Sequence, residues 1–187
     1  MLFRSLYQGW IISGELVVPS GRTINDLTFE WVHRGMPWWD PAKEISGNVA
    51  ATDVAGGLRS LGDANIVNST FSGNVSTAWH GGAIFHTDGQ LTVINSTFTG
   101  NSAPVGTAAG IVVATFGGGT PNLTLTNTIL ANPVGGLNCA IENQGGAGTI
   151  TSGGHNIDDD GSCNLTALGD QPFTNPLLDP LANRSRS

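Results

Sequence analysis

Between Ala64 and Asp158 short runs recur in which apolar positions alternate with polar ones at a period of two. In Leu91-Thr-Val-Ile-Asn, Leu91 and Val93 share one side and Thr92 takes the other. In Leu123-Thr-Leu-Thr-Asn, Leu123 and Leu125 face one way and two threonines the other. Side chains of a strand point to opposite faces in turn, so this pattern predicts strands with one buried face and one wet face. No stretch of this region carries an apolar stripe at helical spacing with caps. Gly-rich strands, Gly81-Gly-Ala-Ile-Phe and Ala109-Gly-Ile-Val-Val, lie between the alternating runs.

The runs also repeat. Asn65–Asn74 reads NIVNSTFSGN and Leu91–Asn101 reads LTVINSTFTGN, which sets Phe71 and Phe98 27 residues apart. Leu123–Asn132, LTLTNTILAN, reads as a third copy with Ile129 in the Phe position. Thr149–Asp158, TITSGGHNID, is a weaker fourth. A helix-free unit this short cannot bury its apolar side alone, but stacked units can. The predicted fold is therefore all-β: a single-stranded parallel β-helix, a solenoid of roughly five to seven coils, one coil per repeat. An antiparallel sandwich gives no reason to reuse Asn-Ser-Thr-Phe.

Stacking assigns roles to the repeated residues. Phe71, Phe98 and Ile129 are expected to form an apolar core stack, and Ala64 and Ile66 to align with Leu91 and Val93. Asn68 and Asn95 share one slot at a bend. Asn74 and Asn101 share another, and Asn132 closes the third copy. Asparagine amides at such bends can bond from coil to coil as a ladder. Gly73, Gly81, Gly82, Gly100, Gly117 and Gly118 fall at or near the corners, where a Cβ would clash or φ must be positive.

Composition narrows the partners. Charged residues make up 11% of the chain, and 7 Lys+Arg against 14 Asp+Glu leave a net charge of −7. Nucleic acid and anionic membranes need a basic surface, so neither is an expected partner. No run approaches the ~18 apolar residues of a membrane helix. The first eighteen residues, MLFRSLYQGWIISGELVV, lack a clean signal-peptide core and cleavage site. The expectation is a removed signal or a start inside a longer protein; the Asn183-Arg-Ser-Arg-Ser tail also reads as an arbitrary end. Cys139 and Cys163, without C-x-x-C spacing, are either one disulfide in an exported protein or two separate buried thiols.

The ordered set LTVINSTFTGNSA, LTLTNTILAN, SGGHNIDDDGSC (Ser152–Cys163), Gly169-Asp-Gln and NPLLDPLAN (Asn175–Asn183) resembles bacterial secreted right-handed parallel β-helix proteins of the choice-of-anchor Q type. The resemblance covers residues from about 64 to 183. It implies a right-handed coil, a secreted or cell-surface location, and pairing of Cys139 with Cys163. The chain stops at Arg-Ser-Arg-Ser, where family members often continue with a Gly-Gly-Pro segment and an anchoring tail. Residues 1–60 match poorly. Gly14–Ile24 reads as an early coil, and Trp31–Glu44 as a Trp-rich cap or insertion, continuous with the repeats of residues 61–187.

Candidate chemistry is sparse. Asp158, Asp159 and Asp160 before Gly161 are the densest carboxylates and the candidate hard-cation site, with Ca²⁺ the one metal considered; no cofactor is otherwise expected. The competing reading is a solvated turn. His80, His86 and Asp88 flank the Gly-Gly-Ala-Ile-Phe strand, with His86 and Asp88 on one side as if lining a groove. Trp38, Trp39 and Trp79 are candidate sugar-stacking platforms. The competing readings are polar turn residues for the histidines and a capping cluster for the tryptophans. No Lys or Arg occurs between Leu61 and Asn183, which argues against a basic polysaccharide-lyase cleft. Catalytic residues are expected to be absent. The expected function is a monomeric, non-catalytic spacer or adhesive, glycan-contacting surface; the alternative is a carbohydrate-active enzyme, a polysaccharide lyase or glycoside hydrolase, with a groove along the stack.

Overall fold

A computed structural model describes residues 43–46, 48–50, 55–104, 107–116 and 119–179, and the backbone of strands at 2–7, 10–15 and 22–23. Trp31, Trp38, Trp39, Gly117 and Gly118 lie outside the described residues.

Every described strand from Arg22 onward pairs in parallel with a strand of a neighbouring coil. Three main sheets result, with a fourth, two-stranded one made by Val49–Ala50 and Val75–Ser76. The first contains Leu58–Ser60, Ile84–His86, Ala108–Phe116 and Leu137–Gln144. The second contains Arg22–Thr23, Ala64–Val67, Gln90–Ile94, Asn122–Thr126 and Thr149–Gly154. The third contains Lys43–Ser46, Ser69–Ser72, Thr97–Thr99, Ile129–Ala131, Ile157–Asp158 and Gln171–Pro172. The chain visits the three sheets in that order and then begins the next circuit. The architecture is an all-β parallel solenoid, as the repeat predicts.

It has about four turns rather than five to seven. Among the described residues upstream of Leu58, the stack gains the short pieces Arg22–Thr23, Lys43–Ser46 and Val49–Ala50. Leu2–Tyr7 and Trp10–Glu15 fold on each other as an antiparallel hairpin, so they add no coil.

Inward rows align like with like. Ala64, Leu91, Leu123 and Ile150 form one row; Ile66, Val93 and Leu125 form the next. Leu58, Ile84 and Ile111 lead up to Cys139 in the first sheet. Each such side chain taken out of water contributes roughly 1.5–3 kcal/mol. Phe71 and Phe98 stack with ring centroids 4.8 Å apart and planes 8° from parallel.

The third member of that stack is Leu130, not Ile129. Asn127-Thr128-Ile129-Leu130 lies over Asn95-Ser96-Thr97-Phe98 residue for residue, so Ile129 takes the outward slot of Thr97. The apparent match of the terminal Asn132 to Asn101 hides this one-residue offset. Asn132 belongs to the slot of Gly73 and Gly100: their φ values are 54°, 61° and 62°. This corner requires a left-handed residue, which Gly adopts freely and Asn more readily than most.

The two other asparagine slots differ sharply. Asn68, Asn95 and Asn127 are exposed corners with φ of 51°, 51° and 47°. There, Asn127 Nδ2 donates to Asn95 Oδ1 at 2.8 Å. Asn74 and Asn101 are buried and form a true ladder that begins at Asn48. Asn74 Oδ1 accepts from Asn48 N and Nδ2 at 3.2 and 2.9 Å. Asn101 Oδ1 accepts from Asn74 N and Nδ2, both at 3.0 Å. Their own Nδ2 atoms donate to Ile45 O and Phe71 O. A second buried row of Ser69, Ser96, Thr128 and Asn156 satisfies backbone at the corner between the second and third sheets.

Candidate functional site

The acidic segment Asp158-Asp159-Asp160 lies where the strand Ile157–Asp158 ends and the chain turns over the last coil. One oxygen from each carboxylate falls within a 4.8 Å cluster. Each is already engaged by protein donors. The fully buried Asp158 accepts from Asn138 Nδ2 at 2.9 Å and Cys163 N at 2.8 Å. Asp159 accepts from Asn138 Nδ2 and Asn132 N, both at 2.7 Å. Asp160 accepts from Asn138 N and Ser162 N, both at 2.9 Å.

Burial pushes the Asp158 carboxyl up to about 6, helped by the neighbouring Asp160 and opposed by the Cys163 and Asn138 bonds. For Asp160 burial also acts upward, but donors from Ser162, Asn138 and Asp158 outweigh it and hold it below the ordinary range. Of the two, Asp158 is therefore the one that takes up a proton first as pH falls. The three carboxylates fit a hard cation by donor type. In this arrangement they fasten backbone N–H groups of the last turn.

That turn is a cap. Cys139 and Cys163 form a disulfide with their Cα atoms 4.9 Å apart, and Cys163 and Leu165 close over the interior cluster. At its far end Asp170 takes four bonds: Asn156 N and Nδ2 on one oxygen, Ser152 Oγ and Ala167 N on the other. These donors outweigh the upward effect of burial and lower its pKa. Asp160 and Ser162 also occupy the N–H groups of Asn138 and Cys139 on the outermost strand of the first sheet. Exposed edge groups invite pairing with other chains, so this loop blunts that edge.

His86 lines no groove; it is fully buried inside the corner between the first and second sheets. Its Nδ1 lies 3.2 Å from Ser60 Oγ and its Nε2 3.0 Å from Gly89 O. Burial lowers its pKa, against the upward pull of Gly89 O, Asp88 and Asp63. The alternation that puts His86 beside Asp88 fails because the chain turns between them. Asp88 is exposed and binds the neighbouring Gly89 N at 2.9 Å. Asp63 accepts Gln90 N across coils at 2.8 Å.

His80 and Trp79 are placed differently. They sit on the bend before Ile84–His86, which other coils fix through Ala55 N to His80 O at 3.1 Å and Gly81 N to Ala108 O at 2.9 Å. Trp79 remains 55% exposed. The His80 ring stands edge-on to it, centroids 6.0 Å apart. His80 Nδ1 faces Glu142 Oε1 at 2.5 Å, without an aligned hydrogen bond. Glu142 belongs to the first-sheet strand two rungs away. Burial raises its pKa and His80 opposes the rise. Between these groups, the outward side of the first sheet is itself apolar and covered: Phe85, Val112 and Ala114 are buried in a cluster separate from the interior.

Glu142, Asn138, Asn156 and Asp170 carry these clusters, yet none repeats at the unit period, which is the signal a repeat search follows. The fold and these clusters define the class, a parallel β-solenoid closed by a disulfide-linked cap. No family model, curated protein or solved structure matches the chain.

Proposed function

We propose that this solenoid is a rigid, non-catalytic segment of a secreted or cell-surface bacterial protein, serving as a spacer with a glycan-contacting surface. The observation that carries this reading is the use of its convergent carboxylates. Asp158, Asp159, Asp160 and Asp170 all accept backbone N–H groups of the cap or of the coils beneath it. Hydrolysis of a glycosidic bond uses two carboxylates free to face substrate. Outward rows such as Asn65, Thr92, Thr124 and Thr151 present short polar side chains at the regular coil spacing. The disulfide suits an oxidising compartment. The resemblance to choice-of-anchor Q proteins agrees with a surface location.

The test is a glycan array on the full chain together with reducing-sugar and unsaturated-uronate assays on the bound glycans. Binding without turnover supports the reading. Turnover that tracks enzyme concentration replaces it with a carbohydrate-active enzyme, and silence across the array leaves the spacer role alone.

A further inference from the structure

The bend that carries Trp79 is pinned to two other coils, so its indole is held out to solvent by a rigid frame. A large apolar side chain fixed in this way binds with little ordering cost. Beside it stand the His80 ring and the Glu142 carboxylate, drawn from a strand two rungs away. The site therefore offers a flat apolar platform, an imidazole and a negative charge.

The charge decides which ligand fits. The chain carries −7 overall, and no Lys or Arg lies between Leu61 and Asn183. Uronate or sulfated sugars bring negative charge to a negative surface and are disfavoured at long and short range. A neutral sugar uses the indole but draws nothing from the Glu142 charge, which keeps its His80 neighbour. A sugar with a free ammonium uses both: its apolar C–H face lies on Trp79, and its cation is attracted by the indole face and by Glu142. Because His80 and Glu142 meet without an aligned hydrogen bond, a ligand donor can take the carboxylate without breaking one.

We propose that Trp79, His80 and Glu142 form a binding site for amino-sugar glycans that bear free ammonium groups. This deepens, and rests on, the glycan-contact reading above.

Calorimetric titration of the full chain with a glucosamine oligomer is the direct test. Its fully N-acetylated counterpart, an oligogalacturonate and an oligolysine of equal charge are run beside it. The glucosamine oligomer should bind roughly tenfold or more tightly than each of the others, the scale of one cation–π contact with a charge pair. Trp79→Ala should abolish binding. Glu142→Gln should remove the preference over the acetylated oligomer while leaving weak binding to both. Thermal melts of both variants confirm that the fold is kept.

Equal binding of the acetylated oligomer, the galacturonate or the oligolysine overturns the ligand class. Tight glucosamine-oligomer binding that survives Trp79→Ala and Glu142→Gln overturns the site and leaves the glycan-contact reading standing. No binding to any of the three glycans overturns the site, while the glycan-contact reading stands or falls on the array.

Discussion

The side-chain oxygen of Asn101 accepts both the backbone and the side-chain N–H of Asn74, one coil below. Asn74 does the same for Asn48. Asn101→Ala leaves the buried Asn74 N–H groups without acceptors, and each orphaned group costs about 1–3 kcal/mol. Urea unfolding should show a loss of roughly 2–4 kcal/mol. At the exposed corner, Asn95→Gly should stay within about 0.5 kcal/mol of the parent, because Gly accepts the same positive φ. Equal losses at the two sites would contradict the distinction between buried ladder and surface corner.

Phe98 lies between Phe71 and Leu130 in the interior. Phe98→Ala should cost about 3–5 kcal/mol. Phe98→Leu should cost much less, since the next coil already places Leu130 there. A loss below about 1 kcal/mol for Phe98→Ala in denaturant melts would mean that the stack relaxes around the hole.

The cap should respond to pH through Asp158. Its folded pKa, about 6, lies above the ordinary 3.8. The stability tied to that shift is fully present below 3.8 and is lost as pH rises through 6. Asp160 acts oppositely: its folded pKa is lowered, so its contribution is present above 3.8 and is lost as pH falls through the lowered value. The Asp158 contribution should lower the melting temperature by roughly 2–4 °C between pH 5 and pH 7. The buried His86, whose pKa is lowered, acts the opposite way over that range, so the difference between parent and variant isolates Asp158. Asp158→Asn, which imitates the protonated acid, should flatten that slope; an unchanged slope in the variant assigns it elsewhere.

Removing the disulfide should loosen one end of the molecule selectively. Its closed loop spans 24 residues, and the Cys139→Ser/Cys163→Ser double variant should lose about 3 kcal/mol. Hydrogen exchange should quicken from Asn156 to Asp170 while the Phe71 and Phe98 layers stay protected. Uniform deprotection along the whole chain would argue for one cooperative block instead.

Much of the architecture was legible because it is periodic. Leu91 over Ala64 and Val93 over Ile66 follow from two repeated runs and the two-residue alternation of a strand. The errors share a cause: they lie where period or direction changes. The repeat sets Ile129 in the core because an Asn at the end of the third run imitates the Gly-Asn ending of the first two. Strict alternation sets His86 beside Asp88, but a turn between them breaks it. The cap and the Glu142 contact lay beyond sequence reasoning for another reason. His80 and Glu142 are 62 positions apart in the chain, and only the winding brings them together. The acidic triplet was noticed, but its partner Asn138 occurs in no repeat.

The corner between the first and second sheets lengthens along the column and stays long, with eight positions from Ile141 to Thr149 in the last coil. Four positions from His86 to Gln90 turn the same corner for which the next coil uses nine, from Val113 to Asn122. Yet Leu91 still faces Leu123, and Phe98 still faces Leu130. Extra chain there leaves the register of the second and third sheets unchanged. The corner is a ready port for display: a grafted epitope or tag at this point would hang off the side of the rod without shortening, bending or unthreading it.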